Sequence, residues 1–270
     1  MSTMQTERAA EPTTPSPQGP PRRRDFSQMI VGFMSNGFLI FWAIITTFPL
    51  VWAILSAFKT NGEFRTDPVG LPGGLEWDNF ARAWSAANIG QYFLNSVIVV
   101  AISLTMTMLF GAMGAYVLAR YSFVGNRLIY FVFVGGLMLP VFLALVPMFF
   151  ILRDLGNVPI IGEYIGLNSY VGLALVYTAF SMPFTIFFLT AFFRTLPSAV
   201  AEAAIVDGCG HFGLFFRVML PMARPGLISL GLFNFLGHWN QYVLPLVVMQ
   251  DEEKRVLAQG LGQLAASTSG

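Results

Sequence analysis

The chain has 270 residues and a formal net charge of +1, with 55% hydrophobic and only 11% charged residues. Soluble domains carry roughly 25% charged residues, and a nucleic-acid binder needs a basic surface, so a soluble enzyme, a disordered protein and a nucleic-acid partner are excluded. The single cysteine, Cys209, excludes an internal disulfide and a cysteine-based metal cluster.

Residues 1–25 are rich in Pro, Thr, Ser and Gln and end in Arg22, Arg23 and Arg24. They have no apolar face, which predicts a disordered tail. The apolar run that follows is longer than a signal-peptide core. Five stretches of 22 or more residues lack Asp, Glu, Lys and Arg. One crossing takes about 20 apolar residues at about 1.5 Å each, so five membrane helices are predicted at 37–58, 91–119, 128–152, 165–193 and 225–250. The apolar–polar alternation of barrel strands is absent.

In the second segment Gly111, Ala115 and Ala119 repeat every four residues, a small-residue stripe that lets helices approach closely. Pro49, Pro140, Pro147 and Pro183 lie inside apolar runs, where kinks are expected. Arg22, Arg23, Arg24, Arg120, Arg127, Arg194, Arg217 and Arg224 fall on one side of this topology. The other side mixes Lys59, Arg65, Arg82 and Arg153 with six acids. The positive charges therefore put the N-terminus and the loop 194–224 in the cytoplasm. The membrane domain is expected over 26–250. Residues 251–270 are a polar segment, too short and too polar to cross again, and so end outside.

No catalytic constellation is visible. His211 and His238 lack partners at metal-ligand spacing. There is no G-x-S-x-G elbow and no phosphate-cradling G-x-x-x-x-G-K-[ST] loop. The five segments hold no acid, against the carboxylate relays of many ion-coupled pumps.

The informative loop is 194–224. Pro197 suits a first helical turn, Ser198–Val206 favours helix, and Gly208 suits a left-handed stop. A second short helix is predicted over 210–219, with Phe212, Phe215 and Phe216 on one face, and Leu220-Pro221 is expected to break the chain. Ala201, Ala203 and Ala204 are small where a solvated face would carry long side chains, which permits a partner to approach. On the fifth segment Asn234, His238 and Gln241 at i, i+4, i+7 read as a polar stripe. It serves either as a wall of a translocation path or as helix-to-helix hydrogen bonding, worth about 0.6 kcal/mol on average. Trp239 and Asn240 fall on other faces and read as packing. Trp77 and Trp84 read as interface anchors.

The order Glu202-Ala203-Ala204, three residues, Gly208, nine residues, Val218, one residue, Leu220-Pro221 resembles the EAA loop of permease subunits of binding-protein-dependent ABC importers. Asp207 before Gly208 fits it too, and Val218 stands where the usual form has Ile. The runs QYFLNSVIVV (with Asn95-Ser96), GAMGAYVLARYSFVGNR and FNFLGHWNQYVLPL (with Trp239-Asn240 and Pro245-Leu246) are similar to the carbohydrate-uptake type, the shorter maltose/glycerol-phosphate permease. The resemblance covers about residues 30–265.

It implies an all-α polytopic protein of the type I ABC importer permease fold in a bacterial cytoplasmic membrane. Five helices are visible where the family has six, so the sixth is expected to be missing. It also implies a transport subunit that is no enzyme and holds no cofactor. ATP and magnesium would be bound by two ATPase subunits, and a second permease and an extracytoplasmic solute-binding protein would complete the complex in the lipid bilayer. Glu202, Ala203, Ala204, Asp207, Gly208, Leu220 and Pro221 would dock the loop on an ATPase. The expected cargo is a sugar or sugar derivative. Glycerol phosphate, phosphate, an amino acid or an osmolyte are alternatives within the superfamily, and an ion-coupled secondary carrier or a membrane-embedded enzyme lies outside it.

Overall fold

A computed structural model describes residues 26–86 and 88–268; the expected tail with Arg22, Arg23 and Arg24 lies outside them. Every regular element described is helical. The chain divides after Asn79 into two compact units.

The first unit holds α1 (Phe26–Ala57), a continuous helix of 32 residues with Pro49 inside it. It begins 11 residues before the predicted crossing. Large apolar side chains such as Phe38, Trp42, Phe48 and Leu50 stand exposed along it. Helix α2 (Asn61–Thr66) starts on a capping box: Thr60 Oγ1 accepts the Glu63 N–H at 3.2 Å and Glu63 Oε2 accepts the Thr60 N–H at 2.9 Å. The Thr60 backbone bond is the main force holding the Glu63 carboxyl below its usual range. The cap is therefore whole at neutral pH and lost only as pH falls through that lowered value. Lys59 is buried and donates to the Asp67 and Pro68 carbonyls, which closes the turn around α2. Helix α3 (Asp78–Ala86) straddles the division.

In the second unit α4 (Ile89–Arg120) and α8 (Tyr170–Thr195) are long straight spans that pack in parallel, with Tyr116 against Phe193 near their C-terminal ends. The small-residue stripe makes this contact. A Cβ on Gly111 would lie 2.3 Å from Thr185 Cγ2, and Ala112 and Ala115 are fully buried beside it. Without a hydrophobic drive between helices in lipid, such close backbone approach supplies the association through van der Waals contact.

The third predicted segment is not one straight helix. It is α5 (Asn126–Gly136) and α6 (Val141–Gly156), bent by 104°. Pro140 sits at the start of α6 in an extended conformation, and its ring biases Leu139 away from helix, so the run turns there. Gly136 lies against Pro183 of α8, with 3.0 Å from a Cβ position to the ring. A short helix α7 (Gly162–Ile165) leads into α8, whose start is capped by Ser169 accepting the Gly172 N–H at 2.9 Å.

The loop 194–224 is largely helical, and the fifth segment that follows it is divided at Asn240. Helix α9 (Ser198–Val206) is followed by α10 (His211–Gly213), a wide π turn over Leu214–Met219, and α11 (Leu220–Met222). This run meets α12 (Arg224–Trp239) at 77°. Helix α12 runs antiparallel to α8, Asn234 meeting Thr185 and His238 meeting Ser181. After a break at Asn240 the short α13 (Val243–Val248) follows. The polar C-terminal segment contains α14 (Leu257–Thr268), 12 residues long and shorter than one crossing needs. Its first N–H, on Leu257, donates to Ser96 Oγ at 2.8 Å.

Gly111→Val is expected to wedge α4 from α8 and cost about 1–3 kcal/mol, read as a lowered midpoint of thermal unfolding of the purified protein in detergent.

Candidate functional site

The loop between α8 and α12 is a folded device. Helix α9 ends on a complete Schellman arrangement: the Gly208 N–H bonds the Ile205 carbonyl at 2.9 Å and the Cys209 N–H bonds the Ala204 carbonyl at 2.9 Å. Gly208 has φ +81°, the left-handed conformation its position predicted and one that other residues adopt only with strain. Pro197 sits one position earlier than expected, at the N-cap rather than in the first turn.

The alanines divide by face. Ala201 and Ala204 are half-buried and pack on the protein's own core of Tyr116, Phe193, Leu214 and Phe215. Glu202, Ala203 and Asp207 are exposed, in company with Val200, Ile205 and Val206, the last 87% exposed. Ala203 therefore fits the expectation of an open, closely approachable face, while Ala201 and Ala204 serve a different contact, the fit of α9 onto its own protein.

The second short helix runs on through Pro221, so the expected break at Leu220-Pro221 moves to Ala223. The reason is the π turn. The Leu220 N–H reaches back five residues to the Phe215 carbonyl, and this wider turn precedes Pro221, whose ring would press on the Arg217 carbonyl in a regular helix. The same turn shifts the phase of the phenylalanines. Phe215 is buried, but Phe216 is half-exposed in character and Phe212 is 76% exposed, so the three do not share one face.

What fastens this device is an aromatic knot at the end of α4. The Tyr116 ring lies 5.1 to 5.7 Å from the rings of Phe215, Phe193 and Tyr121. Tyr121 Oη and His211 Nδ1 are 2.9 Å apart, Arg120 donates to the Leu196 carbonyl, and Asn126 donates to the Tyr121 carbonyl at 2.7 Å. Sequence reasoning missed Tyr116, Tyr121 and His211. The aromatic spacing at the end of an apolar run was visible, but their partners lie some 75 to 100 positions away. Together these contacts fasten the loop to the ends of α4 and α8.

The predicted polar stripe splits. Asn234 and His238 are buried and face α4 and α8. The Asn234 amide donates to Thr185 Oγ1 at 3.0 Å. His238 Nδ1 is 2.9 Å from Ser103 Oγ and its Nε2 is 2.8 Å from Ser181 Oγ, and the imidazole lies 5.2 Å from the Tyr177 ring. Both side chains join three helices of one protein. Gln241 is not on their helix: α12 ends at Trp239, and Gln241 lies in the break with its N–H turned to the His238 carbonyl. Asn95 and Ser96 have a structural task. The Asn95 amide donates to the Glu253 and Arg255 carbonyls at 2.8 and 2.9 Å, and Tyr170 donates to Asn95 Oδ1, so α4 anchors the approach to α14. Among the described residues no three His, Cys, Asp or Glu side chains are grouped to hold a metal ion.

His238→Ala would leave Ser103 and Ser181 facing a void and is expected to cost about 1–3 kcal/mol, more than His238→Gln; detergent thermal melts of the two variants check this.

The sequence matches the model of the family described as binding-protein-dependent transport system inner membrane component over residues 107–268. It is 51% identical over 234 residues to the diacetylchitobiose uptake system permease protein NgcG of Streptomyces coelicolor, covering 87% of this chain and 74% of that one. It is 30% identical over 246 residues to the arabinooligosaccharides transport system permease protein AraQ of Halalkalibacterium halodurans, covering 90% and 84%. Its fold matches a crystal structure of a bacterial ABC transporter involved in the import of the acidic polysaccharide alginate, with a TM-score of 0.78 at 20% identity over 91% of this chain and 83% of that one. The all-helical arrangement, the bent loop between α8 and α12 and these likenesses agree: the chain belongs to the inner membrane components of binding-protein-dependent transport systems, the multi-pass permease subunits of ABC importers.

Proposed function

We propose that this chain forms part of the path by which a sugar, of the N-acetylated oligosaccharide kind, enters a bacterial cell. The observation that carries this reading is the 51% identity with the diacetylchitobiose permease over 87% of the chain. ATP and magnesium are held by two ATPase subunits, a second permease completes the path, and an extracytoplasmic binding protein delivers the sugar. The N-terminus and the 194–224 loop face the cytoplasm, as the arginines at that end require.

In this reading α9 is the coupling helix. Glu202 is its charged anchor toward a basic group of the ATPase. Ala203 lets the partner approach closely, and the exposed Val200, Ile205 and Val206 supply apolar contact. Asp207 and Gly208 set the angle to the following turn, and Leu220-Pro221 carry the run around to α12. When the ATPases close on ATP, the displaced α9 moves α4 and α8 with it through the Tyr116 knot and favours the outward-facing state.

Two measurements test this. Membrane vesicles or cells holding the whole importer are expected to accumulate labelled diacetylchitobiose, with unlabelled diacetylchitobiose competing and amino acids not; uptake of an amino acid in its place would defeat the sugar assignment. The pair Glu202→Lys and Gly208→Asp is expected to abolish co-purification of the ATPase and most uptake, since Lys would put like charges across the interface at a cost of several kcal/mol and Asp would strain the left-handed turn at φ +81°. Survival of both would remove the coupling role.

A further inference from the structure

Helix α12 by itself is shorter than a full crossing. Its 16 residues extend about 24 Å from Arg224 at about 1.5 Å each, less than a hydrocarbon layer about 30 Å thick. Beyond it the backbone is irregular through Asn240, Gln241 and Tyr242 before α13 begins. The Leu236 carbonyl still receives the Asn240 N–H at 3.1 Å, and the Gln241 N–H turns to the His238 carbonyl at 3.4 Å. Pro245 has no N–H to return to the Gln241 carbonyl. Among the described residues no backbone donor reaches the carbonyls of Gly237, Trp239, Asn240 or Gln241. Asn240 is exposed and uses one amide N–H, on the Leu236 carbonyl at 2.9 Å. Irregular backbone at membrane depth is tolerated only where it meets protein or a watery cavity, and discontinuous helices of transporters form substrate sites for that reason.

A track of rings leads to the break. Trp239 lies 5.6 Å from Phe93 and 5.7 Å from Phe235, and Phe93 lies 6.4 Å from Trp84. Trp84, Phe93 and Phe235 are exposed and Trp239 is half-buried. The Trp84 ring rests on the bare backbone of Gly90, 2.8 Å from where a Cβ would stand. Polar groups with open valences thus sit beside a run of aromatic faces. An acyl chain would answer the rings and leave the carbonyls unpaired. A pyranose answers both, since its C–H face stacks on a ring while its equatorial hydroxyls exchange hydrogen bonds at the edge.

We propose that the α12–α13 break and its aromatic track are a sugar-ring site on the outer part of the path, with Trp239 as the stacking platform and Asn240 and the freed carbonyls as hydroxyl partners. The site lies beside, not on, the face that carries Asn234 and His238, and the proposal rests on the sugar-import reading.

The test uses the complete importer with labelled diacetylchitobiose as the probe, and compares Trp239→Ala, Trp239→Phe, Phe93→Ala and Asn240→Ala with the parent. Trp239→Ala and Asn240→Ala are each expected to lower uptake about five- to tenfold, the worth of one aromatic contact or one hydrogen bond. Trp239→Phe should keep most uptake, and the yield of assembled complex and its binding-protein-stimulated ATP hydrolysis should hold throughout. Uptake unchanged in Trp239→Ala and Asn240→Ala overturns the site. So does a fall in complex yield that matches the fall in uptake, because it would make this face the seat of the second permease or of lipid. A parent complex that imports no sugar defeats the functional reading instead, and is told apart because the variants are then never needed to see it.

Discussion

Hydrocarbon accepts no hydrogen bonds, and this constraint governs the second unit of the chain. Polar side chains inside a span gain from a partner in the protein, and departures from helix are answered there or by water, although the buried Thr107 and Thr190 hydroxyls have no hydrogen-bond partner among the described residues. Ser103, Thr185, Asn234 and His238 find such partners by joining α4, α8 and α12 in one buried seam. The imidazole of His238 suits this place because it offers a ring nitrogen to each of two helices, and the serines can donate or accept as the tautomer demands. Two breaks, at residues 137–139 and after Trp239, leave backbone carbonyls that no backbone donor reaches among the described residues.

The contact between α4 and α8 extends that seam into one packed core. Gly111 brings the two backbones together in mid-span, and the Tyr116 knot joins their ends to the loop that precedes α12. The Schellman turn at Gly208 and the π turn before Pro221 give that loop one shape. Packing, hydrogen bonds and turn chemistry hold it over successive stretches.

The fifth segment is best understood by its two sides. Asn234 and His238 point inward, while Phe235 and Asn240 are exposed. Polarity alone therefore marks the wrong face for a path. In a membrane protein a polar side chain is drawn to the nearest internal partner, so a buried stripe signals packing. Exposed polar backbone beside exposed rings is the rarer arrangement and the one that calls for a polar occupant.

The sequence by itself determined the class of the protein and most of its loop chemistry. The gaps in charge marked the apolar runs because burying charge in lipid is costly, and local rules sufficed for α9 and for the left-handed Gly208. Local rules also located the small-residue stripe at Gly111, although not its partner. Only the tertiary structure decided what depends on distant neighbours. It bent the third run at Pro140, carried helix through Pro221 by widening a turn, and helped divide Ala203 from Ala201 and Ala204. It also separated Gln241 from Asn234 and His238. Helical periodicity assumes an unbroken helix and says nothing of which face meets protein, and both are set by the helices packed alongside.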